Sequence, residues 1–87
     1  MDSYEFESSK GAKAEFWFER RGRVSICFET YYGYSTVEVR LDPYEGVDLF
    51  DLLEDPCETL LDMSVKEVLE LNEAIEAVRP DREGRAA

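Results

Sequence analysis

The 87 residues include no histidine, two cysteines, three prolines and five glycines. No apolar run approaches the roughly 18–20 residues that a membrane span requires. Each shortage removes a class of chemistry. Without histidine the chain lacks the commonest general base and the usual activator of a Ser or Cys nucleophile. Cys27 and Cys57 alone cannot complete a tetrahedral zinc site within one chain. The glycines fall singly, so there is no glycine-rich cradle for a phosphate. The acidic stretch 42–58 contains no D-x-[DN]-x-[DN]-G calcium loop. Paired carboxylates of the glycosidase kind are available as residue types, but so short a chain leaves little room for a water-excluding cleft. The expectation is therefore no catalytic residue, no cofactor and no metal.

Positive charge is also scarce, with ten Lys plus Arg against 21 Asp plus Glu, a net charge of -11. That sign disfavours direct contact with DNA, RNA or an anionic membrane, where cationic side chains supply most of the affinity. The N-terminal MDSYEFESSK is acidic and polar where a secretory signal would be basic and then apolar. A cytoplasmic setting with reduced thiols is expected.

What is present is apolar enough to fold. Hydrophobic residues make up 44% and aromatics 13%, too much for a disordered acidic chain. The length suits one domain, expected over residues 1–79, with 80–87 a disordered tail.

Period-two alternation marks three or four strands. Tyr4 and Phe6 alternate with Glu5 and Glu7; Ala14, Phe16 and Phe18 with Glu15, Trp17 and Glu19; Val24, Ile26 and Phe28 with Ser25, Cys27 and Glu29; Val37, Val39 and Leu41 with Glu38 and Arg40. Residues directly opposite in an antiparallel pair share a face, so parity tests each hairpin. A three-residue loop, Arg20-Arg21-Gly22, sets Phe18 opposite Val24 and Phe16 opposite Ile26. A two-residue Tyr32-Gly33 loop sets Phe28 opposite Val37, Ile26 opposite Val39 and Val24 opposite Leu41. The first strand has no such check on its register.

Asp42-Pro43 and Gly46 end the strands. The apolar spacing of 47–54 predicts a short amphipathic helix that Pro56 stops or diverts. Ser64 and Glu67 form a capping box, and Met63 with Val68 a hydrophobic staple. Stepping 100° per residue then puts Val65, Val68, Leu71, Asn72, Ile75 and Val78 on one face, until Pro80 ends the helix. The fold class expected is α+β: an antiparallel three- or four-stranded β-meander, one face packed by a C-terminal α-helix and a short preceding helix.

The acids are unevenly placed. Asp48, Asp51, Glu54, Asp55, Glu58, Asp62, Glu67, Glu70, Glu73 and Glu76 fall between residues 46 and 78 with Lys66 as the single base there. Glu5, Glu7, Glu15, Glu19, Glu29 and Glu38 decorate the outer sheet face with Arg23 and Arg40. Trp17 lies among them, either as an interface anchor or covered by Arg40. Tyr31, Tyr32, Tyr34 and Tyr44 are expected at the sheet end near the second turn. Arg20, Arg21 and Arg23 read as a solvated hairpin tip with Arg23 paired to Glu19, and Cys27, between Glu15 and Glu38, as a half-buried filler whose acidic neighbours slow it as a nucleophile.

Two functional classes suit this pattern. The first is a non-enzymatic acidic inhibitor that docks on a basic, nucleic-acid-binding surface of another protein. By analogy of size and charge alone, small phage-encoded inhibitors of nucleases, restriction systems and CRISPR complexes work so. Its partner-binding residues would be Asp48, Asp51, Glu54, Asp55, Glu58, Asp62, Glu70, Glu73 and Glu76, with Trp17, Glu15 and Glu38 on the sheet. The second is a structural or adaptor subunit, or a homodimer, pairing through the sheet face or edge. An immunity protein neutralising a basic toxin shares the physics of the first.

Overall fold

The structure is a computed structural model that describes residues 2–20, 22–30, 33–52 and 63–80. Four strands, β1 (Ser3–Glu7), β2 (Lys13–Glu19), β3 (Arg23–Thr30) and β4 (Gly33–Arg40), form one antiparallel sheet in the order β1-β2-β3-β4. Among the described residues two helices follow, α1 (Leu49–Leu52) and α2 (Val65–Val78). This is the α+β meander expected from the alternation, with all four strands present.

The β2–β3 pairing is the one that parity selected, with Phe18 opposite Val24 and Phe16 opposite Ile26, and Gly22 adopts a φ of 69° in the turn. The β3–β4 register differs from the expected one by two residues. Gly33 belongs to the strand and pairs with Thr30, so Val24 faces Val39, Ile26 faces Val37 and Phe28 faces Ser35. A slip of two leaves every side chain on its own face, so parity cannot choose between the two registers. The correction moves the outer-face neighbours. Cys27 stands opposite Thr36 rather than Glu38, and Arg40 lies beside Arg23 and away from Trp17. β1 pairs with β2 through Tyr4 opposite Phe16 and Phe6 opposite Ala14.

The inner face carries the core. Phe16, Val24, Ile26, Phe28, Val39 and Leu41 are buried against Leu49 of α1 and Val68, Leu71 and Ile75 of α2. Tyr4 stacks on Phe16 at 5.4 Å, and Phe18 meets both edge-on at 6.0 Å. On α2 the expected face is buried at Val68, Leu71, Asn72 and Ile75, with Val78 packed at its edge, and only the first turn departs: Val65 is 65% exposed, and Glu67 is buried at 4%. The reason is a polar junction at the helix start. Ser8, itself buried, donates its hydroxyl to Glu67 Oε2, while Glu67 Oε1 accepts from the Ser64 amide (3.1 Å) and hydroxyl (2.9 Å). Ser64 Oγ accepts the Glu67 amide in return (3.4 Å), which completes the capping box. Ser8 Oγ also accepts the amides of Lys10 and Ala12. The β1–β2 loop is thus tied to the helix-cap carboxylate through Ser8.

The Ser8 hydroxyl, followed by the Ser64 amide, holds the Glu67 carboxyl below the ordinary glutamate range. A depressed acid stabilises the fold above its unfolded pKa, and that contribution is lost as pH falls through the folded value. Glu67→Gln keeps the capping geometry but cannot ionise. Wild type is therefore expected to melt above Glu67→Gln at neutral pH, with the gap closing below the ordinary glutamate range. Thermal melts of both proteins from pH 7 to 3 measure it, and the comparison subtracts the general easing of acidic repulsion. A gap that does not narrow as the pH falls from 7 to 3 contradicts the assignment.

Candidate functional site

The register turns the outer sheet face into a grid. Across the strands from β1 to β4, the first row is Glu7, Lys13, Glu29 and Tyr34, and the second is Glu5, Glu15, Cys27 and Thr36. The third is Ser3, Trp17, Ser25 and Glu38, and the fourth, on β2 to β4, is Glu19, Arg23 and Arg40. Charge is sorted along the strands. The first two rows hold four carboxylates against Lys13, and the last two balance Glu19 and Glu38 with Arg23 and Arg40. Glu5 and Glu15 stand directly opposite each other, a like-charge pair that costs stability.

Hydrogen bonds separate the two halves further. In the balanced half the Trp17 indole N–H donates to Glu19 Oε1 (2.7 Å), the same oxygen accepts from the Ser25 hydroxyl (3.3 Å), and Arg23 pairs with Glu38 at 3.1 Å. Arg23 therefore binds Glu38 rather than its expected partner Glu19, and the half-buried Trp17 bonds a carboxylate through its indole N–H. In the acidic half Glu15 accepts a surface hydroxyl, from Ser3 at 2.8 Å. A concavity of about 400 Å³ opens there, lined by Glu5, Glu7, Glu15 and Glu29 together with Lys13, Cys27 and Tyr34. Among the described residues no group of three or more His, Cys, Asp or Glu is arranged to hold a metal ion.

The helical acids are placed differently from the sheet acids. Glu70 is half-buried and accepts the Ser9 amide at 2.8 Å; that amide, then the Ser9 side chain, pulls its carboxyl below the ordinary range. Glu76 accepts the Val47 amide (3.1 Å) and Arg79 Nη1 (3.4 Å). Asp48 Oδ1 accepts the Phe50 amide at the start of α1. These three stitch loops to helices. Glu73 and Asp51 are exposed. Glu54, Asp55, Glu58 and Asp62, with Arg21, Tyr31, Tyr32, Pro56, Cys57 and the tail beyond Pro80, lie outside the described residues. Tyr34 is 76% exposed on the first row, whereas Tyr44, 72% exposed, follows β4 at the opposite end of the sheet from the second turn.

Arg79, just past the end of α2, is not among the expected site residues. It is fully buried, with Nη1 donating to the Glu45 carbonyl (3.0 Å) and Nη2 to that of Asp42 (2.6 Å). No local pattern marks it, because its partners lie 34 and 37 residues away.

Comparison of the chain with protein-family profiles, with curated proteins and with solved structures finds no match. The site is therefore read from its own geometry.

Proposed function

We propose that this chain is a non-enzymatic, acidic protein-binding protein that covers a basic, nucleic-acid-binding surface of another protein and so inhibits it. One observation carries the reading: carboxylates are gathered on the outer sheet face beside a concavity, with Glu5 and Glu15 held opposite each other against their mutual repulsion. Solubility needs charge but not sorting, and a like-charge pair across a ladder gives the fold nothing. A basic groove supplies the missing counter-charge. The internal duties of Glu70 and Glu76 move the proposed contact toward Glu5, Glu15 and Glu29, with Asp51 and Glu73 as further exposed acids. No helix among the described residues is long and apolar enough to cross a membrane, and the proposed setting is cytoplasmic.

The test is capture from a native lysate on the immobilised chain. A basic protein should be retained, leave as salt is raised from about 50 to 500 mM, and be displaced by added DNA or RNA. Glu15→Lys with Glu29→Lys should weaken retention by about tenfold or more, while Glu70 and Glu76 are left intact because their replacement would perturb the fold. Retention insensitive to salt, to nucleic acid and to these reversals would falsify the proposal.

A further inference from the structure

The two edges of the sheet are not alike. β1 is five residues long and carries Glu5 and Glu7, a short charged edge of the kind that discourages pairing. β4 is eight residues, GYSTVEVR, with no proline or lysine. Its register decides which backbone groups are free. Gly33 pairs with Thr30, and the Leu41 amide donates to the Gly22 carbonyl, so alternate residues from Gly33 to Leu41 turn their backbone groups toward β3. Tyr34, Thr36, Glu38 and Arg40 turn theirs away from the sheet, and among the described residues no strand pairs with that side.

We propose that β4 pairs with β4 of a second copy of this chain, antiparallel about a twofold axis at Val37, joining two four-stranded sheets into one of eight strands. The inference does not rest on the basic-partner reading. Centred at Val37, every outward residue meets another, giving about eight N–H···O bonds. Tyr34 then stands against the partner's Arg40, a ring facing a guanidinium. Thr36 stands against the partner's Glu38, a hydroxyl facing a carboxylate. Val37, only partly buried at the rim of the core, meets the partner's Val37 on the axis. Centring on Glu38 would set carboxylate against carboxylate, and centring on Thr36 would carry Arg40 past the Gly33 end of the partner's β4. The self-complementary register is thus also the one with the greatest overlap.

An edge contact is small and each copy carries -11, so the dimer forms at high concentration and tightens with salt, the reverse of binding to a basic partner. Sedimentation velocity between about 10 μM and 1 mM, at low and high salt, reads the mass. The expected result is a rise from one chain to two, steeper in salt. Thr36→Pro removes an outward N–H that the β3 ladder does not use, and should hold the protein at one chain. Thr36→Glu sets like charges opposite each other and should raise the dissociation constant about tenfold, while Thr36→Lys lowers it. Circular dichroism establishes that each variant is folded; should Thr36→Pro fail to fold, the Glu and Lys variants decide. One-chain mass throughout leaves the edge to another protein's strand and overturns self-pairing, as does a dimer that these variants leave unchanged.

Discussion

Arg79→Met is expected to destabilise the protein by about 3 kcal/mol, because removing the buried guanidinium takes the donor from two carbonyls and the cation from Glu76. The guanidinium is fully buried, bonds the carbonyls of Asp42 and Glu45 and touches Glu76, which in turn accepts the Val47 amide. One side chain therefore fixes the segment that leads from β4 into α1. Met replaces most of the volume but none of the donors, so two carbonyls and a carboxylate lose their cation. For a domain of this size the melting temperature should fall by about 15 °C. Arg79→Lys keeps the charge but brings a compact ammonium where a planar fork spans two carbonyls, and should fall between. Urea unfolding measures all three proteins; a Met variant within about 0.5 kcal/mol of wild type would show that the clamp holds nothing.

Phe16→Ala is expected to cost about 4 kcal/mol, a large share of the 5–15 kcal/mol that stabilises a typical domain. Phe16 is 2% exposed and lies opposite both Tyr4 and Ile26. It is also the ring that Tyr4 stacks on and Phe18 meets edge-on. Truncation removes both ring contacts and opens a void in the middle of the sheet, where strands on either side prevent collapse. Phe16→Leu keeps most of the volume and should lose no more than about 1.5 kcal/mol. Equilibrium unfolding separates them, and equal losses for Ala and Leu would place the energy in the rings rather than in the filled space.

Much of this architecture is legible in the chain itself. Period-two alternation sets the strands and their faces, and parity together with a three-residue loop ending at Gly22 gives the β2–β3 register, because a one-residue slip there would put Phe18 opposite Ser25. The same parity is blind to a two-residue slip, and the β3–β4 register escaped it on that account. The Ser64–Glu67 capping box located α2, but local capping chemistry does not reveal that Ser8, 59 residues distant, occupies the other oxygen of Glu67. That bond is what pulls an acid into the buried face and pushes Val65 out. Arg79 escaped for a similar reason, since an arginine after the last helical turn reads as a solvated end until carbonyls from a remote loop converge on it. On the candidate surface, Glu15 could be placed on the outer face from alternation, whereas the sorting of charge along the strands needed the full register of all four.

The consecutive order of the strands sets a sequence of events during synthesis. Each hairpin joins neighbours in the chain, so the sheet can assemble as it emerges, and short-range pairing of this kind is fast. The helix that covers the sheet begins only at Val65. Until it is made, the inner side of the sheet has only Leu49 of α1 against it and lacks Val68, Leu71 and Ile75, and the late arrival of Glu67 at Ser8 and of Arg79 at the Asp42 and Glu45 carbonyls closes the domain from both ends. Nascent chains stopped before Val65 should therefore bind chaperones or hydrophobic dyes, and full-length chains should not.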